Sequence, residues 1–105
     1  MKKKLYKIEL SDQAEEDFDN AYQYYNNESE IVAARFLNEV NISFEKIAGN
    51  PELYTKTDYD LRKCVLQKFP FVIYYECKED IVQIVSVFHT SRNPEIWKKR
   101  VIEEC

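Results

Sequence analysis

The chain has 105 residues, near the modal size of a single domain, and with 45% apolar and 14% aromatic residues it can close one core without staples. A net charge of -4 and a pI near 5.1 exclude a protein whose whole surface attracts nucleic acid, because such binding relies on Lys and Arg to neutralise phosphates. No stretch approaches the roughly 18 apolar residues of a membrane span, and the basic start from Met1 to Lys7 runs into acids rather than the apolar segment of a signal peptide, so a soluble, cytoplasmic protein is expected.

Taken in chain order, Leu5 to Leu10 alternates as a short strand with one polar face. Ser11 reads as an N-cap, with Asp12, Glu15 and Glu16 where the helix dipole favours anions. Ala14, Phe18, Ala21, Tyr22 and Tyr25 then give the first helix an apolar stripe ending near Asn26 to Glu28. Ser29 opens a second helix whose stripe is Ala33, Phe36, Leu37, Val40, Phe44, Ile47 and Ala48, stopped by the chain's single glycine, Gly49, before Asn50-Pro51. A link of about three residues predicts an antiparallel helix hairpin.

Pro51 to Asp60 reads as a loop tacked down by Leu53 and Tyr54. Three strands follow, Leu61 to Gln67, Phe71 to Cys77 and Ile81 to Phe88, joined by the short turns Lys68-Phe69-Pro70 and Lys78-Glu79-Asp80. Short links predict an antiparallel meander, with the first strand of the chain added at an edge. Pro94 to Glu104 reads as a possible short C-terminal helix with Pro94 at its first position. The order β-α-α-β-β-β over residues 1 to 105 defines one α+β domain, a helical hairpin packed on one face of a mostly antiparallel four-stranded sheet.

One glycine cannot build a phosphate-cradling loop, and one histidine cannot build a zinc cage, so no cofactor and no metal is called for. Cys64, Cys77 and Cys105 match neither a zinc knuckle nor a redox CxxC; they read as reduced thiols, with Cys64 and Cys77 in or near the core. The last strand ends in His89, Thr90, Ser91 and Arg92, which supports two readings. In one, His89 does acid-base work and Arg92 contacts a phosphate or nucleotide, with Arg62 and Lys63 at the start of another strand as residues that could converge on them. In the other, His89 to Ser91 end the strand on their own backbone and Arg92 pairs with a carboxylate. Arg62 opens one strand of the meander and His89 closes another running the same way, which places them at opposite ends of the sheet. Tyr22, Tyr24, Tyr25, Tyr74 and Tyr75 sit at packing rather than base-stacking spacing, except Tyr24, which falls off the stripe and should be exposed.

The element order together with Leu10-Ser11-Asp12-Gln13-Ala14-Glu15-Glu16-Asp17-Phe18, Ala34-Arg35-Phe36-Leu37, Asn50-Pro51-Glu52-Leu53, Leu61-Arg62-Lys63, Phe69-Pro70-Phe71, Tyr74-Tyr75 and His89-Thr90-Ser91-Arg92-Asn93-Pro94-Glu95-Ile96-Trp97 resembles the RelE/ParE superfamily of bacterial toxins over almost the whole chain. That resemblance implies the toxin half of a type II toxin-antitoxin (plasmid stabilisation) system, held inactive by a cognate antitoxin protein. It also implies one of two activities. RelE-like members look like ribosome-dependent mRNA endonucleases, for which His89, Arg92 and Arg62 would be the catalytic candidates. ParE-like members inhibit DNA gyrase by protein binding, for which Tyr24 and the segment Trp97, Lys98, Lys99 and Arg100 would be the target contacts. The chain lacks a lysine-rich strand and a tyrosine after the last strand, and it is acidic, so it looks more like the ParE branch and leans away from an enzyme.

Overall fold

The computed structural model describes residues 5–91, in the order β1 (Lys7–Leu10), α1 (Asp12–Glu28), α2 (Glu30–Gly49), β2 (Arg62–Val65), β3 (Phe71–Lys78) and β4 (Ile81–His89), with two short 3-10 turns at Pro51–Leu53 and Asp58–Asp60. The segment expected as a C-terminal helix, Pro94 to Glu104, lies outside the described residues, as does Cys105.

Ser11 caps α1 as its position predicts, its side chain accepting the Ala14 N–H at 3.1 Å. The hairpin link is tighter than expected. Nothing in Asn26 to Glu28 breaks a helix, so α1 runs to Glu28 and Ser29 alone joins the helices. This one residue closes the first helix through its N–H on the Tyr25 carbonyl and opens the second by accepting the Val32 N–H on its hydroxyl.

The sheet order is β1-β4-β3-β2, so the apolar strand β4 is central as its composition predicts. β1 pairs with β4 in parallel, while β3 pairs antiparallel with both neighbours. One side of the sheet and the facing helix stripes form the main core, in which Ala14, Ala21, Phe36, Val40 and Ile47 meet Cys64, Phe71, Ile73, Tyr75, Val82, Ile84 and Val87. Phe36, fully buried, sits within 5.2 to 5.7 Å of the rings of Phe18, Tyr25, Phe69 and Phe71. A smaller cluster joins Leu61, Val85 and Phe88 to Tyr74. Tyr74 stands opposite Ser86 but Tyr75 stands opposite Ile84, leaving Val85 as the extra residue of a bulge.

Three expectations about individual side chains need correction, the first being Leu37, which the α2 stripe turns toward the core but which is 38% exposed. Leu53 is 60% exposed, and the loop is instead held by buried Pro51, whose carbonyl accepts the Tyr75 hydroxyl at 2.6 Å, and by half-buried Tyr54. Cys64 is buried as expected, but Cys77 is exposed, because β3 extends past the helical cover toward Lys78.

Candidate functional site

The polar exit of β4 opens into a shallow cleft between the flank of α1 and the beginning of β3. One part, about 480 Å³, is lined by Ala21, Tyr24, Tyr25, Pro70, Phe71, His89 and Ser91. The adjoining part, about 240 Å³, adds Asp17, Asn20 and Val87. Helical spacing explains the α1 side, since residues three and four apart share a face: Asp17, Asn20, Ala21 and Tyr24 all look along the strand ends. The sheet side follows from register, because Phe71 pairs directly with His89.

The His89 ring meets Phe71 edge-on at 5.0 Å between centroids. Its Nδ1 accepts the Ser91 N–H at 3.1 Å and lies 2.7 Å from the Ser91 hydroxyl. A nitrogen that accepts the backbone donor carries no proton, so in the neutral ring the proton is on Nε2. Beside it, the Asp17 carboxylate accepts the buried Ser86 hydroxyl at 3.1 Å and the Val87 N–H at 3.2 Å, tying α1 to the strand next to the bulge. Tyr24, 63% exposed, packs its ring edge-on against Tyr25 at 5.3 Å and forms the lip of the cleft. The cleft is therefore largely aromatic, and its Asp17 carboxylate is engaged in tying helix to strand.

Arg62 sits elsewhere. It stands opposite Tyr75, four residues along β3 from the Phe71–His89 pair, which at about 3.3 Å per residue is about 13 Å away. Its guanidinium donates to the carbonyls of Tyr54 at 2.6 Å and Glu52 at 3.4 Å, fastening the loop before β2. The structure thus brings Tyr24 together with His89 and separates both from Arg62, as the strand directions predict. Arg92, Trp97, Lys98, Lys99 and Arg100 lie outside the described residues. Among the described residues no three His, Cys, Asp or Glu side chains gather as a metal site, and no helix is long and apolar enough to cross a membrane.

Sequence reasoning missed Asp17, Asn20 and the Pro70–Phe71 wall of the cleft. Asp17 did carry a signal, as an acid on the flank of the apolar stripe rather than opposite it. Only the register of β3 on β4 shows what it meets.

Burial pushes several hydroxyls and thiols up. Tyr54 rises to about 12, first through desolvation and then through its hydrogen bond and proximity to Cys64. Tyr75 is raised by desolvation, offset in part by Arg62, and desolvation raises Cys64 above the usual thiol value. At the cleft, Tyr25 is raised by desolvation and then by Tyr24.

The two-helix hairpin over a four-stranded sheet goes with the ParE-like branch of the RelE/ParE toxin superfamily. Residues 8–94 match the family described as the ParE toxin of the type II toxin-antitoxin system parDE, and the chain belongs to that family. It is the toxin component of such a system, and its partner is a cognate antitoxin. No curated protein matches it in sequence. A solved structure described as the chromosomal ParDE TA system from P. aeruginosa has the same fold, with a TM-score of 0.72 at 14% identity, over 83% of this chain and 98% of the other.

Proposed function

We propose that this toxin inhibits DNA gyrase by binding it, with Tyr24 and the sequence segment Trp97, Lys98, Lys99 and Arg100 as contacts. The observation that carries the reading is the separation of Arg62 from His89, two of the candidate catalytic groups. Cleaving RNA requires a base for the 2′-hydroxyl, an acid for the leaving oxygen and a cation for the phosphate, all within reach of one phosphate. Here Arg62 is about 13 Å along the sheet from the His89 pair, with its donors on loop carbonyls. Asp17, the carboxylate beside His89, holds Ser86 and Val87. What the cleft offers a partner is aromatic surface, which suits protein binding. The match of residues 8–94 to the ParE family supports the same choice of target.

The test is a supercoiling assay with purified toxin and gyrase, run beside translating ribosomes carrying a defined message. Loss of supercoiling with accumulation of cleaved DNA, and an intact message, is the expected outcome. Untouched supercoiling with codon-positioned cuts in the message would replace this reading with the ribonuclease one.

A further inference from the structure

The face of the sheet turned away from the helices carries its own apolar strip. Along β3 and β4, Phe71, Ile73 and Val87 point into the main core, so Val72 and Phe88, paired directly with each other, point the other way. On that side Phe88 joins Val85, Leu61 and half-buried Tyr74. Leu61, Val85 and Phe88 are 0, 3 and 4% exposed. Strand neighbours shield a side chain on a sheet face only at its flanks, so burial this deep needs a layer above it.

Among the described residues no helix or loop supplies that layer. Both helices pack on the opposite face. The loop before β2 bonds edgewise to that strand, the Thr57 N–H to the Leu61 carbonyl and the Lys63 N–H to the Thr55 carbonyl, which extends the sheet sideways. The cover therefore comes from one of the two stretches beyond residues 5–91. Residues 1–4 enter at β1, whose Lys7 pairs with Ile81, about 23 Å along β4 from Phe88, and four residues span at most about 14 Å. Residues 92–105 leave from Ser91, just past Phe88, and carry Ile96, Trp97, Val101 and Ile102. This segment spans about 21 Å even if wholly helical, and the strip from Phe88 back to Val85 is about 10 Å long.

We propose that residues 92–105 dock on this strip through their apolar side chains, making Leu61, Tyr74, Val85 and Phe88 the seat of the C-terminal segment. The seat holds the basic run Lys98, Lys99 and Arg100 against the body of the toxin, and Phe88 and Tyr74 are positioning residues for target binding. The indole of Trp97 has two faces, one for the strip and one for the target. A segment ordered in advance loses less conformational entropy on binding than a loose one. This role in target binding rests on the gyrase reading and deepens it, whereas the docking stands without it.

The full-length toxin tests this. In NOE spectra of isotope-labelled wild type, side chains of residues 96–102 should give cross-peaks to the Val85 methyls and the Phe88 ring. Trp97 is the single tryptophan, and acrylamide should quench it several-fold less than in a synthetic peptide of residues 92–105. Phe88→Ala removes the largest side chain of the seat along β4. It should raise the quenching toward the peptide value, and raise about tenfold the toxin concentration needed to stop gyrase supercoiling, with the far-UV circular dichroism unchanged. If that variant does not fold, the wild-type cross-peaks decide the docking on their own. Folded wild type without those cross-peaks, or with cross-peaks only between chains in a mixed-label sample, would overturn the seat and leave the gyrase reading standing. A released segment with undiminished inhibition would overturn the positioning role. Wild type that shows the cross-peaks but leaves gyrase untouched would remove the gyrase reading and support the docking.

Discussion

Tyr75 tests how the loop before β2 is anchored. Its ring is fully buried in the centre of β3, and its hydroxyl donates to the Pro51 carbonyl at 2.6 Å, joining the sheet to the turn that follows α2. Tyr75→Phe keeps the ring and its packing, removes that one hydrogen bond, and leaves the Pro51 carbonyl without this donor. A neutral hydrogen bond contributes about 1 kcal/mol net, and an acceptor left unsatisfied in the interior costs about 1 to 3 kcal/mol, so a loss of about 1.5 kcal/mol is expected. For a domain of this size each kcal/mol moves the melting midpoint by about 4 to 8 °C, giving a fall of roughly 6 to 12 °C. Thermal and urea unfolding followed by circular dichroism would read it, with exposed Tyr24→Phe as the control, expected within about 0.5 kcal/mol of wild type. A Tyr75→Phe variant as stable as that control would show that the hydroxyl does not hold the loop.

Asp17→Ala should cost about 2 to 3 kcal/mol in urea unfolding, because it strips the charged acceptor from a buried hydroxyl and from the Val87 N–H. Tyr54, raised to about 12, is protonated in the folded chain at a pH where the unfolded chain has released its proton. Its contribution is complete below pH 10 and is lost as pH rises through about 12, so stability should fall across that window and Tyr54→Phe should lessen the fall. His89→Phe should leave gyrase inhibition within a few-fold of wild type in a supercoiling titration, since on this account the ring is one wall of a cleft rather than a proton carrier.

Local chemistry made much of the fold legible. The stripes on the two helices, the serines at their starts and the β-branched run of β4 each state a periodicity that the packing then uses, and all three elements are where those signals place them. The hairpin link was mispredicted because Ser29 performs two capping tasks that normally need separate residues. Cys77 was mispredicted because strand alternation reveals which face a side chain takes but not where the covering helix ends. The bulge at Val85 has no glycine to announce it. Of the site, the β4 exit was legible as a polar cluster and the exposure of Tyr24 as a break in a stripe. The cleft itself was not, because its walls come from α1, the start of β3 and the end of β4, and only tertiary register sets Asp17 against Ser86 and Tyr24 beside Phe71 and His89.

The most direct measurement is gyrase supercoiling in the presence of the purified toxin, with cleaved DNA scored in the same reaction. Supercoiling lost in proportion to toxin, with cleaved complexes accumulating and inhibition relieved by the cognate antitoxin, is the predicted result. Full supercoiling at a large molar excess of folded toxin would contradict the account.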